Sequence, residues 1–257
     1  MPISQTVELP DLPRGPLPEV GRDVTAAPLP LRGITVLAVE DSRFASEALR
    51  LMCRRLGARL RRAESLHDAR AHLRLYRPNV VIVDLGLPDG RGEALIRDIV
   101  QNGPAGPVVL GTSADPTGRP FALAAGARGF LDKPLESFAA FHAILIRHLP
   151  DHVTQADLPQ SDMPVIPDTL ALRDDFARAA AMNEAGIASG TEAETQTYLS
   201  GFLTGIARHA RDAALAEAAQ HAGTSTLSTR FDQLRHMLAG RLASPTTAFG
   251  EGHPPTV

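Results

Sequence analysis

The sequence has one cysteine, one lysine among 26 basic residues, no net positive charge and no long apolar run. Each scarcity excludes something. Cys53 alone cannot form an internal disulfide, and a lone cysteine suits a reducing compartment. A formal charge of −3 gives the whole chain no broad basic field for nucleic acid or an anionic membrane. No apolar stretch approaches the ~20 residues of a membrane span. The N-terminus carries prolines and acids where a signal peptide has a basic start and an apolar centre. The protein is therefore expected to be cytoplasmic. The single lysine, Lys133, stands out because arginine is used everywhere else. A role that arginine would not fill is the natural expectation for it.

What is present centres on Val80 to Gly92, VVIVDLGLPDGRG. Four apolar β-branched residues suit a strand covered on both faces, as in a parallel sheet. They run directly into Asp84, and open α/β sheets place their chemistry at the C-terminal ends of such strands. Pro88, Asp89, Gly90 and Gly92 then turn the chain and start a helix.

The same alternation extends on both sides. Strands are expected at Ile34–Val39, Ala58–Ala63, Val80–Val83, Pro107–Thr112 and Gly129–Leu131. Helices are expected at Arg43–Leu56, closed by Gly57, and at Leu66–Tyr76, ended by Pro78. Others are expected from about Gly92 to Val100, near Phe121–Ala125, and over Ser137–Leu149. Five strands alternating with five helices predict a doubly wound α/β fold with a five-stranded parallel sheet and right-handed crossovers. Residues 1–31 contain seven prolines and are expected to be a disordered arm. Residues 32–150 form the α/β domain, 151–167 a proline-rich linker, 168–241 a helical module, and 242–257 a frayed tail.

Polar groups end several of these strands: Glu40 and Asp41, then Asp84, then Thr112, with Lys133 after the last. In a parallel sheet all of them lie at one edge. Asp41 or Ser42 is also placed to cap the first helix. Two carboxylates ~5 Å apart repel by roughly 3 kcal/mol at an effective dielectric near 20. A cluster of three calls for a cation, whether Lys133, a hard metal or both. Carboxylate oxygens suit Mg²⁺, and Mg²⁺ with a lysine suits an incoming phosphoryl group.

On Glu40-Asp41, DLGLPDGRG, Thr112 and Lys133-Pro134, residues 33 to about 150 resemble the receiver domain of two-component response regulators. The resemblance implies a flavodoxin-like sheet of order 2-1-3-4-5. It implies that Asp84 accepts a phosphoryl group from a sensor histidine kinase or a histidine phosphotransfer protein. Mg²⁺ would be held by Asp41, Asp84 and the backbone carbonyl of Gly86, with Glu40 helping through water. Thr112 would be the switch hydroxyl, with Ser113 as its neighbour and alternative, and Phe130 the switch aromatic, rotating inward on activation. Lys133 would meet the phosphoryl group, and Lys133-Pro134 would be a cis peptide.

Residues 168–241 carry nine acids and seven arginines, and show no basic recognition face. Leu199, Phe202, Leu203, Ile206 and Ala210 form one apolar stripe, and Leu227, Phe231, Leu234 and Leu238 another. Three helices are expected, packed on each other or on a second copy in a homodimer. His209 lacks the surroundings of a phosphotransfer histidine. No clustered nucleophile or metal motif follows Pro150, so no separate enzymatic output is expected. The expected output is a protein-binding or dimerising module, with nucleic acid an unlikely partner. The alternative is a transcriptional regulator contacting DNA through Arg208, Arg211, Arg230 and Arg235.

Overall fold

The computed structural model describes residues 29–103, 105–135, 137–149, 168–189, 192–223, 234 and 236–240. The linker, the tail and all but the end of the N-terminal arm lie outside these residues, as do Leu227, Phe231, Arg230 and Arg235.

The five strands of the main sheet are β1 (Thr35–Val39), β2 (Arg59–Ala63), β3 (Val80–Asp84), β6 (Val108–Ser113) and β7 (Gly129–Asp132). They pair in parallel in the order β2-β1-β3-β6-β7. This is the 2-1-3-4-5 order expected from the sequence. Helices α1 (Arg43–Leu56), α2 (Leu66–Leu75), α3 (Gly92–Gln101), α4 (Gly118–Ala124) and α5 (Phe138–His148) connect and flank them. Within the Asp84–Gly92 loop lies a small antiparallel hairpin, β4 (Gly86–Leu87) with β5 (Gly90–Arg91). The sequence predicts only a turn there, because two-residue strands leave no alternating pattern.

Strand alternation explains the two sides of the core. Val36, Ala38, Val80, Ile82 and Leu110 pack under α1 and α5 with Met52, Phe141 and Leu145. Leu37, Val39, Val81, Val83 and Val109 pack on the other face with Leu95, Ile96 and Ile99 of α3. Leu31, assigned to the arm by its sequence, is fully buried in the first of these cores, and its N–H donates to the Leu56 carbonyl. Gly57, at φ 83°, closes α1 in the left-handed conformation that favours glycine.

The starts of α1 and α2 are each capped twice. Ser42 Oγ accepts the Ala45 N–H, and Ser65 Oγ accepts the Asp68 N–H. Remote aspartates take the neighbouring donors. Asp89, at the β4–β5 turn, accepts the Leu66 and His67 N–H groups of α2. Asp175 does the same for Arg43 and Phe44 of α1, at 2.8 and 3.0 Å.

Asp175 belongs to α6 (Thr169–Ser189), which is followed by α7 (Glu192–His209) and α8 (Ala213–Gly223). Leu172, Phe176, Leu199, Phe202, Leu203, Ile206 and Leu215 form their shared core, with Leu234 and Leu238 added. Both apolar stripes therefore face inward where they are described, although Ala210 is only partly buried. Phe44 of α1 inserts into this third core. The helices thus pack on one another and on the α/β unit. No described helix is long and apolar enough to cross a membrane.

Gly92 tests how tightly the loop after β3 is held. A Cβ there would lie 2.1 Å from the Asp84 carbonyl oxygen, whereas one at Gly86 would meet nothing within 4 Å. Gly92→Ala is expected to cost about 3 kcal/mol of stability, because backbone must move. Gly86→Ala is expected to stay within about 0.5 kcal/mol. Urea denaturation of both variants checks this, and equal midpoints would contradict it.

Candidate functional site

The C-terminal edge of the sheet gathers the polar strand ends. Asp84 closes β3, and its register partner on β6 is Thr112, which in turn pairs with Leu131 on β7. Glu40 and Asp41 follow β1 and are both 1% exposed. Lys133 follows β7, and the Lys133-Pro134 peptide is cis. One oxygen from each of Glu40, Asp41 and Asp84 falls within 4.8 Å of the others.

Lys133 Nζ sits 2.6 Å from Asp84 Oδ2 and 2.6 Å from Glu40 Oε2, with its side chain 6% exposed. The Gly86 N–H donates to Asp84 Oδ1 at 3.2 Å, and the Ser42 N–H donates to Glu40 Oε1 at 3.2 Å. Thr112 Oγ1 donates to the Leu131 carbonyl at 2.8 Å. Ser113 Oγ instead accepts the Asp115 N–H. Phe130 is buried in this conformation. Its ring fills space beside Gly111, where a Cβ would come within 3.1 Å of it, and the Arg119 guanidinium lies over it.

Burial and mutual repulsion raise the acids. Burial pushes Glu40 up to about 8; Lys133 opposes this, while Asp84 and Asp41 add to it. Burial and the Asp84 charge push Asp41 up to about 6, against a hydrogen bond from Tyr198. Burial works against the Lys133 charge, yet the Asp84 and Glu40 carboxylates more than offset it and hold the ammonium above its ordinary value. One ammonium cannot balance three carboxylates. Asp41 Oδ1 is buried without a hydrogen-bond partner among the described residues. An all-oxygen, net-negative pocket with an orphaned carboxylate oxygen fits a hard divalent cation.

Residues 36–145 match the family model of the response regulator receiver domain. This segment is a receiver domain. Curated relatives match over a segment of similar length. The KDP operon transcriptional regulatory protein KdpE of Escherichia coli is 35% identical over 116 residues, covering 44% of this chain and 52% of that protein. The transcriptional regulatory protein PhoP of Escherichia coli is 32% identical over 117 residues, with the same coverage. The chain thus spans about half the length of the curated relatives it matches. Among solved structures, a receiver domain from Methylobacillus flagellatus is 25% identical, with a TM-score of 0.40, covering 44% of this chain and 97% of that one. A chemotaxis response regulator of Vibrio cholerae is 24% identical, with a TM-score of 0.41, covering 45% and 98%.

Sequence reasoning missed the residues that reach the receiver edge from elsewhere. Arg62 of β2 donates to the carbonyls of Glu40 and Asp41. Arg178 of α6 also donates to the Asp41 carbonyl, at 2.8 Å. The Tyr198 hydroxyl of α7 donates to Asp41 Oδ2. Arg208 donates to the Ala114 carbonyl. Tyr198 is one of only two tyrosines, but nothing in its neighbours marks it as polar-facing.

The raised acids set the pH dependence of the metal-free protein. Asp41 keeps its proton to about 6 when folded, against an ordinary value of 3.8. The folded state therefore binds more protons in that window, and stability is lost as pH climbs through it. Relative to Asp41→Asn, the wild type is expected to lose on the order of 2 kcal/mol between about pH 4 and about pH 7. Paired urea titrations in chelator give this difference; one that is constant or of opposite sign contradicts the assignment.

Proposed function

We propose that the chain is a two-component response regulator in which Asp84 accepts a phosphoryl group from a phosphohistidine of a sensor kinase or a histidine phosphotransfer protein. The observation that carries the reading is the Lys133 ammonium, 2.6 Å from the Asp84 carboxylate at the tip of a buried strand, beside two further buried acids. An Asp84 oxygen attacks phosphorus, an O–P bond forms, the P–N bond breaks, and the imidazole leaves with its electron pair. Mg²⁺ held by Asp41, Asp84 and the Gly86 carbonyl, with Glu40 acting through water, would supply neutralising charge at the phosphoryl oxygens. Lys133 follows Asp84 into the acyl phosphate and pairs with a phosphoryl oxygen. Thr112 exchanges the Leu131 carbonyl for a phosphoryl oxygen. That exchange loosens β7 and shifts the conformational balance of the β6–β7 edge.

DNA binding by the C-terminal helices is the second reading, favoured by the names of KdpE and PhoP as transcriptional regulators. Their likeness covers 44% of this chain and about half of each relative. Arg208, one of the four arginines that reading needs, is turned toward the receiver and bonded to Ala114. The helices are better read as a protein-binding element whose present partner is their own receiver.

Incubation with acetyl phosphate and magnesium chloride is expected to add the mass of one phosphoryl group. Asp84→Asn is expected to keep the circular-dichroism spectrum and gain nothing. A gain of equal size in the variant places the modification elsewhere and refutes the reading.

A further inference from the structure

The helical module does more than adjoin the receiver: it reaches the acidic pocket itself. Asp175, fully buried, accepts from Ser42 Oγ and from the Arg43 and Phe44 N–H groups, the residues that directly follow Asp41. Phe44 is held within the module's own core. Tyr198 and Arg178 both end on Asp41, one on the carboxylate and one on the carbonyl. The two are braced together, since the Tyr198 ring stacks on Phe202 with centroids 5.6 Å apart, and the Arg178 guanidinium lies over that same Phe202 ring. Farther along α7, Gly201 and Gly205 leave a cavity of about 420 Å³ between the helix and Asp84, Glu40 and Lys133. The helix therefore spans the pocket without filling it.

The chemistry at Asp41 is that of a substitute cation. A buried carboxylate needs donors or positive charge beside it. Here a phenol hydroxyl supplies the donor, and a guanidinium supplies the charge. A divalent cation would meet the same need more strongly. Once it is bound, the Tyr198 donor is redundant, its oxygen and the cation's waters compete for room, and the Arg178 charge opposes a dication. Ligands that satisfy one group in different conformations oppose each other, and by linkage the opposition is equal in both directions.

We propose that α6–α8 are a lid that stands in for the divalent cation at Asp41, so that lid docking and cation binding at the receiver weaken each other. This rests on the reading of the acidic pocket as a cation site. Cation binding, reinforced by a phosphoryl group on Asp84, loosens the lid. The loosened lid uncovers Phe44 and the apolar face around Phe202. In the docked state the module has no such face to offer, because Phe44 fills it.

The test uses the full chain and two readouts that do not depend on phosphorylation. Magnesium affinity by calorimetry is expected to tighten about 5-fold or more in Tyr198→Phe and in Arg178→Gln. Phe44→Ala weakens docking without removing a group that touches Asp41, and it is expected to tighten magnesium as well. Hydrogen exchange along α7 and the start of α1 is expected to speed up when magnesium chloride and beryllofluoride are added to the wild type. Unchanged or weaker magnesium binding in all three variants overturns the lid: Tyr198 would then orient Asp41 for the metal. Slowed exchange on adding magnesium overturns it too. If wild type and variants all fail to bind magnesium, the cation site falls and the lid coupling falls with it.

Discussion

Three buried carboxylates around a single ammonium set the terms for everything near them. Glu40, Asp41 and Asp84 converge because the strands that carry them are adjacent and parallel. Their repulsion at such separations is several kcal/mol, comparable to the stability of a whole domain. Lys133 relieves Asp84 and Glu40 but leaves Asp41 to other groups. Whatever else binds at this edge is therefore a donor or a cation.

That demand links the two halves of the chain. Asp41 accepts from Arg62 and Arg178 at its carbonyl and from Tyr198 at Oδ2, while Oδ1 has no hydrogen-bond partner among the described residues. Two of these three residues come from the helical module. The same module caps α1 through Asp175 and encloses Phe44. The residues that tie the module down thus bracket the start of α1, immediately after the acids. Asp41 lies within three residues of Phe44, the module's anchor. Proximity of this kind is what allows a small local event to bias the docking of a large element.

The receiver fold was largely legible because its signals are local. Unbroken β-branched runs specify buried parallel strands, and Gly57 and Pro78 mark helix ends. Strand ends in a doubly wound sheet fall on one edge whatever the loops do, so Glu40, Asp41, Asp84, Thr112 and Lys133 could be grouped before any coordinates. The β4–β5 hairpin was not legible, because two-residue strands carry no period. Nor was the packing of Phe130 beside Gly111, where a Cβ would come within 3.1 Å of the ring.

The capping of α1 and α2 shows where legibility stops. Ser42, read from the sequence as a candidate cap, bonds to the chain three residues ahead, and Ser65 does the same. Asp89 and Asp175 perform the same task from 22 to 132 residues away, and no local pattern announces them. Residue order along the chain was enough to establish the sheet, its acidic edge and the lone lysine beside it, because each follows from short-range periodicity and strand direction. The placement of Tyr198, Arg178 and Asp175 over that edge belongs to the folded chain. It depends on how an amphipathic helical bundle finds Phe44 and an unsatisfied carboxylate, and such long-range complementarity has no sequence period.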